Sequence, residues 1–352
     1  MGAYGGRSRK FMVSALTKET AFGEYVAVDS SLRVSSEPGG MEPEIDDDRD
    51  LIGGTEESTT QELSVQRYDA AIAQSKVRPH TLAFILASGL GTHSASTPAG
   101  ATTARLHYNS PKAQTNKDFE TFTVEELYAS GTQLKFGGCF TDSFVLEGTR
   151  RNFFNLSAQI YGSGKKTTGV ASVSEISESS LHVKNAKVWL GTGTYDGNTP
   201  TQSKSVENIS GSPTVLSSQI ESWRWTFNNN TELDFLYPWD SGNTMGRAER
   251  MERSQELSAT LTFDDSTHID RLLAQTPVCL QLKCHSSSQQ IGSEGYYYGF
   301  GLVFPKLMYR RARPQGTAGG RMVYDIVWDV KEDATYGSVR AWVYNIQTGY
   351  LQ

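Results

Sequence analysis

The sequence predicts a mainly β fold, a sandwich or barrel duplicated within one chain, with one short helix in each half. Three observations predict it. Apolar and polar residues alternate over several segments, the period of a half-buried strand. Gly (33), Tyr (16) and Phe (15) are plentiful, a composition suited to strands joined by many turns. An order of strand, helix, strand, strand is legible twice.

Taken along the chain, the first helix is expected at Pro79–Ser88, with proline at its start and Gly89 past its end. Leu82, Ile85 and Leu86 share one face of it. Phe154, Leu156, Ala158 and Ile160 alternate with polar residues and predict a strand. Trp223, Trp225 and Phe227 do the same and run into Asn228-Asn229-Asn230, a turn signal. Leu257, Ala259, Leu261 and Phe263 alternate with Ser258, Thr260 and Thr262. The second helix is expected at Thr267–Gln275, with Ser266 as its N-cap and Pro277 as its stop. Tyr296–Phe304 is apolar on both faces, as in a strand covered on both sides. Met322, Tyr324, Ile326, Trp328 and Val330 form one face of a last long strand.

The repeat is anchored on Gln-Glu-Leu-Ser, found at Gln61–Ser64 and again at Gln255–Ser258. Phe136–Glu147 with Phe153–Tyr161 is matched to Tyr298–Met308 with Met322–Val330. The modules are expected at 1–168 and 169–352, joined through the Gly/Lys/Thr/Ser-rich stretch 162–180. His93–Lys117 reads as an insert of the first module, and Thr192–Ser218 as a polar loop of the second. Residues 37–60 read as a third loop, markedly acidic.

With 352 residues, 37% hydrophobic and 20% charged, the chain can build a substantial core, which excludes wholesale disorder. The net charge is −6, from 33 basic and 39 acidic residues. A dedicated nucleic-acid binder would be basic over a broad face. Cys139, Cys279 and Cys284 are too few and odd in number for a disulfide scaffold. Cys279 and Cys284 lie five apart in a strand and face opposite sides. Met1–Lys10 lacks the apolar run of a secretion signal, Gly6 stands where a myristoylation signal needs Ser or Thr, and no segment is long and apolar enough to span a membrane.

Motifs for chemistry are absent or defective. Tyr161–Thr167 resembles a phosphate loop, but Gln159 stands where the first glycine belongs and Lys166 where Ser or Thr must follow Lys165. Gly191-Thr192-Gly193 lacks the third glycine of a dinucleotide turn. His80, His93, His107, His182, His268 and His285 show no zinc-binding spacing, and Cys139 has no histidine partner that the sequence selects. We expect no catalytic residues, no cofactor and no metal.

Two charge clusters remain. Glu42, Glu44, Asp46, Asp47, Asp48 and Asp50 form an acidic run without the glycine of a calcium loop. Lys306, Arg310, Arg311, Arg313 and Arg321 lie in a stretch without acids. Such a basic run could meet nucleic acid or an acidic protein surface.

The chain resembles the tail tube (major tail) proteins of long-tailed bacteriophages. The resemblance rests on Met12–Gly23, Leu51–Thr55, Leu63–Gly91 and Phe136–Phe144, then on Ser222–Asn230 and Met322–Tyr344 with Asn345. It implies a β-sandwich or barrel flanked by a short helix. It also implies subunits that form rings, stacked into a hollow virion tail tube through which genomic DNA passes without specific binding. Synthesis in the bacterial host cytoplasm and contacts with a tape measure protein and other tail proteins follow from the same likeness. If one chain supplies two modules, a homotrimer makes a pseudo-hexameric ring; the alternative is a hexamer of chains with the second half as decoration. The acidic and basic clusters are then expected to meet between stacked rings. Two other readings stand beside this one: a carbohydrate-binding or depolymerising β-protein, which needs exposed aromatics along a groove, and another virion protein such as a decoration or tail terminator subunit.

Overall fold

The computed structural model describes residues 10–35, 39–48, 60–128, 131–197, 208–238, 243–262, 265–316 and 322–352. The first half contains β1 (Lys10–Val13), β2 (Ser30–Leu32), β3 (Gly40–Asp48), β4 (Thr60–Lys76), α1 (Pro79–Leu90), β5 (Gly91–Ser96), β6 (Arg105–Pro111), β7 (Phe122–Leu127), β8 (Gln133–Thr149), β9 (Phe154–Gly162) and β10 (Lys166–Thr168). The second contains β11 (Ala186–Gly191), β12 (Thr214–Val215), β13 (Ile220–Asn228), β14 (Ser254–Thr262), α2 (Thr267–Leu273), β15 (Val278–Ile291), β16 (Tyr296–Gly316), β17 (Met322–Val330) and β18 (Arg340–Asn345). All the strand pairs between these elements are antiparallel.

One pairing scheme occurs twice. β4 pairs with β3 and β9, and β14 pairs with β13 and β17. β8 pairs with β7 and β9, and β16 pairs with β15 and β17. Even the irregularities coincide. Phe122 faces Cys139, and the register shifts before Val124 faces Phe136; Val278 faces Leu307, and the register shifts before Leu280 faces Phe304. Asp142 is skipped between β8 and β9 as Arg310 is skipped between β16 and β17. Phe136–Glu147 therefore corresponds to Phe304–Gln315, not to the stretch from Tyr298. The Gln-Glu-Leu-Ser copies are also out of place: Asp69 faces Tyr161 where Glu256 faces Asp329, so Gln61 does not correspond to Gln255. The strand order repeats; that tetrapeptide does not mark it.

The expected acidic loop and the expected insert both contain paired strands. Residues Gly40–Asp48 form β3, paired with β4 from Gly40 opposite Asp69 to Asp48 opposite Thr60, with one register shift between Glu44 and Ile45. Charge density and Pro43 hide a period of two in which Met41, Pro43 and Ile45 alternate with acids. The insert 93–117 supplies most of a β5–β6 hairpin, and β6 pairs with β18, so it extends the sheet of the second half. Arg250 fastens the segment after β6 by donating from Nε to the Asn116 carbonyl (2.7 Å) and from its guanidinium to that of Ala113 (2.5 Å).

The core follows the predicted alternation. Leu257, Ala259 and Leu261 are buried, as are Trp223, Trp225 and Phe227. Cys279 and Cys284 fall in separate apolar clusters on opposite faces of β15. All three cysteines are free and buried, and burial pushes the Cys279 thiol up to about 12.

The helices differ from expectation at their ends. α1 runs to Leu90 and is capped by Gly91 in the left-handed region (φ 84°). Gly89 lies inside it, where an added Cβ would come 2.9 Å from the Phe144 ring. α2 ends at Leu273, before Gln275 turns left-handed. Ser266 occupies its N-cap position, but Asp265 Oδ1 accepts from the Thr267 N–H (2.9 Å) while Ser266 Oγ bonds Asp270.

A buried polar network ties α1 to the C-terminal segment. His80 Nδ1 lies 2.7 Å from the Tyr350 hydroxyl, which also accepts from Asn345 Nδ2 (2.8 Å). Asn345 Oδ1 lies 2.8 Å from His107 Nε2, and the His107 ring stacks on His93. Burial lowers His80 to about 4 and His107 to about 3.

Candidate functional site: the edges of the polar sheet

β3, β4, β9, β8, β13, β14, β17 and β16 are bonded in that order into one run of eight strands. The first four belong to the first half and the last four to the second. Antiparallel strands covered on one side leave a polar face on the other. Here that face carries Gln159, Ser157, Ser143 and Glu147 from the first half, and Arg224, Thr226, Ser258 and Asp325 from the second. On the opposite face Phe144 stacks on Phe227 and meets Trp225 edge-on.

The halves join between β8 and β13. Asn228 faces Ser143, Phe227 faces Phe144, and Arg224 faces Glu147. Past Asn228 the chain turns away: the Asn229 N–H donates to the Asp142 carbonyl (2.9 Å), and the Asn229 side chain bonds the carbonyls of Gly89 and Asp142.

The predicted charge clusters mark the two ends of this run. Glu42 and Glu44 are exposed on β3; Asp46, Asp47 and Asp48 continue that strand, and Asp50 lies outside the described residues. Among the described residues, β3 pairs only with β4. At the other end Lys306, Arg310, Arg311 and Arg313 are exposed on β16. Arg321 lies outside the described residues. β15 leaves β16 at Leu307, so from Met308 onward no described strand pairs with that side of β16.

The clusters are not brought together within the chain. Seven strand-to-strand steps separate β3 from β16, roughly 34 Å at ~4.8 Å per step. Each is partly neutralised locally instead. Arg67 Nη2 lies 3.4 Å from Glu42. Arg310 pairs with Glu256 and, at 3.3 Å, with Asp329; Arg311 pairs with Asp325 at 2.9 Å. The stretch without acids in sequence thus has acidic neighbours on β14 and β17. Sequence reasoning found the charged residues but missed the strand edges that carry them. Pro43 and Pro314 were a signal for those edges, because proline in a sheet is confined to edges and bulges.

No group of three or more His, Cys, Asp or Glu among the described residues could hold a metal ion. No helix among them is long and apolar enough to cross a membrane. Trp189, Trp223, Trp225, Trp328 and Trp342 are buried, so these rings do not offer the open aromatic groove that a sugar-binding reading requires. No curated protein sequence matches the chain significantly. A family model described as phage tail tube protein matches residues 14–330, most of the chain, and the chain belongs to that family of structural tail proteins.

Proposed function

We propose that this chain supplies two modules, 1–168 and 169–352, to a closed homotrimeric ring, and that such rings stack into the tail tube that conducts DNA. The observation that carries this reading is the eight-strand run, half from each module, polar on one face and open at both ends. Joining open ends head to tail removes exposed edges, and a ring is the closed solution. Three chains then give a barrel of ~24 strands, which at ~4.8 Å per strand is ~37 Å across before strand tilt widens it. The polar face lines the bore. Its mixture of small polar groups with paired acids and arginines offers no continuous basic track for phosphates.

Sharing of the sheet between halves favours the trimer over a hexamer with an external second half. A second half that only decorated the ring would have no reason to contribute four strands to the same sheet. Tape measure protein and other tail proteins are the expected partners of the bore and the tube ends.

Electron microscopy of the concentrated purified protein tests the reading. Stacked rings with three chains and six density lobes each are expected. Rings of six chains would replace the trimer by the hexamer. A protein that stays monomeric at high concentration and also in the presence of tail-initiating proteins would overturn the assembly itself.

A further inference from the structure

We propose that β3 of one chain pairs antiparallel with the open edge of β16 in the next, repeating between chains the register of the internal β8–β13 junction. The inference rests on the ring reading and specifies which residues meet. The internal correspondence fixes the register. β8 matches β16 with a constant offset of 168 residues, set by the shared irregularities at Asp142 and Arg310. β3 matches β13 with Glu42 in the place of Asn228, because Arg67 faces Glu42 where Ser254 faces Asn228. Asn228 faces Ser143 inside the chain, so Glu42 faces Arg311 of the next chain. Met41 then faces Ala312 on the apolar side, as Phe227 faces Phe144.

Two prolines limit the paired window. Pro43 stands where Asn229 donates to Asp142, so that bond has no counterpart between chains. The Gln66 N–H opposite Pro43 points away from β3 to the Asn243 carbonyl, so the proline nitrogen faces the open edge. Pro314 lacks a donor two residues past Ala312. Gly40–Glu42 against Arg311–Arg313 is the stretch in which both strands keep their N–H groups.

Charge supports this neighbour. Glu42 would lie between Arg67 of its own chain and Arg311 of the next, which already holds Asp325, giving an alternating row across the polar face. The acids that follow on β3 continue past Arg310. A second observation has the same direction. α1 packs on β8, on the β5–β6 hairpin and on β18 of the second half, and every residue in it is buried. α2, its counterpart, packs on β16, the strand whose edge is open, has no buried residue and leaves Leu273 77% exposed. The charge clusters thus meet around the ring rather than between stacked rings.

The test is disulfide trapping with the double variant Glu42→Cys/Arg311→Cys, in which both positions are exposed and the native cysteines are buried. Tubes oxidised and run on a non-reducing gel should give dimer and trimer bands that stop at the ring number, while each single variant gives monomer. An open-ended ladder would mean that the bond crosses ring junctions, and would overturn the lateral pairing. Normal tubes without crosslinks would overturn the register while leaving the ring reading intact. If the wild-type protein forms no rings, both fail. Should the double variant alone not assemble, Met41→Cys/Ala312→Cys applies the same criteria one residue along.

Discussion

The β8–β13 junction and the open edges of β3 and β16 are built from corresponding strands but covered differently. At the junction the paired strands carry Phe144, Trp225 and Phe227 on the core face and largely uncharged groups on the other, apart from Arg224 opposite Glu147. At the open edges Met41 and Ala312 replace the two phenylalanines, and arginines and acids replace Ser143 and Asn228. A contact that forms once, during folding, can rely on aromatic burial. An edge that must stay soluble until a partner arrives relies on charge and proline, which discourage indiscriminate strand addition. The comparison teaches that one pairing geometry can be made permanent or conditional by side chains alone.

The largest expected effect separates these two surfaces. Phe227→Ala empties a buried aromatic site, and should cost about 3–5 kcal/mol of folding stability. Met41→Ala, at the corresponding position of the open edge, removes a half-buried side chain that packs on the core and should cost the unassembled chain less, about 1 kcal/mol. Its main effect should appear in assembly. Chemical denaturation of the monomer for both variants, with sedimentation of tubes for the second, checks the contrast. A Met41→Ala monomer as damaged as Phe227→Ala would break it.

The helices allow the same comparison at smaller amplitude. Leu86→Ala in α1 should cost about 2–5 kcal/mol, because no solvent reaches the site. Leu273→Ala in α2 should lie within about 0.5 kcal/mol of wild type before assembly. Leu273→Asp should leave monomer unfolding unchanged and raise the concentration needed for tubes. If Leu273→Asp assembles as wild type does, nothing covers that helix.

Much of this architecture was legible in the sequence. The alternation around Trp225, Leu257 and Trp328 located three central strands, because one face of each is buried and the other polar. Pro79 marked the start of α1, whereas Gly89, read as its stop, lies inside the helix and Gly91 caps it. The edges were less legible because no apolar face betrays them: β3 reads as an acidic loop since its alternating residues are Met41, Pro43 and Ile45 between carboxylates. The correspondence of the halves lies in hydrogen-bond register, which four identical residues could not locate. The His93–Lys117 insert was visible as an insert, but its pairing with β18 links residues more than 200 positions apart.

An intermediate effect concerns pH. His107 is held near 3 when folded, against an ordinary value near 6.5, chiefly by burial and secondarily by His93. His80 is lowered too, and Tyr350, Asn345 and the nearby carboxyl of Glu178 complete the surroundings. A depressed histidine favours folding fully above pH 6.5, and that contribution is lost as pH falls toward 3. The unfolded chain then takes up protons that the folded one refuses. By pH 4, His107 alone should forfeit roughly 3 kcal/mol relative to neutrality. Burial raises Glu178 to about 8, which acts in the opposite direction between pH 4.5 and 8. The comparison of wild type with His107→Gln isolates the histidine: the stability advantage of wild type should shrink steadily from pH 7 to 4. An advantage independent of pH would mean that His107 titrates alike in both states.

The smallest effect on the folded chain belongs to the arginines, and it sharpens the distinction between folding and assembly. Arg311 and Asp325 are both substantially exposed, and exposed ion pairs contribute about 0–1 kcal/mol. Arg311→Gln should therefore leave the unfolding midpoint of the monomer almost unmoved. In a ring the same arginine would gain Glu42 of the neighbour and lose much of its solvent, and the contact would repeat at every interface. The wild-type critical concentration for tubes should rise with salt as screening shortens from about 10 Å at 0.1 M toward about 3 Å at 1 M. Arg311→Gln should start from a higher critical concentration and show a flatter salt dependence, because the charge being screened is already gone. Turbidity or sedimentation across a salt series measures both slopes. Parallel slopes for the two proteins would show that Arg311 meets no opposite charge in the tube, and the conditional edge would then depend on its short backbone window and on the apolar contact of Met41.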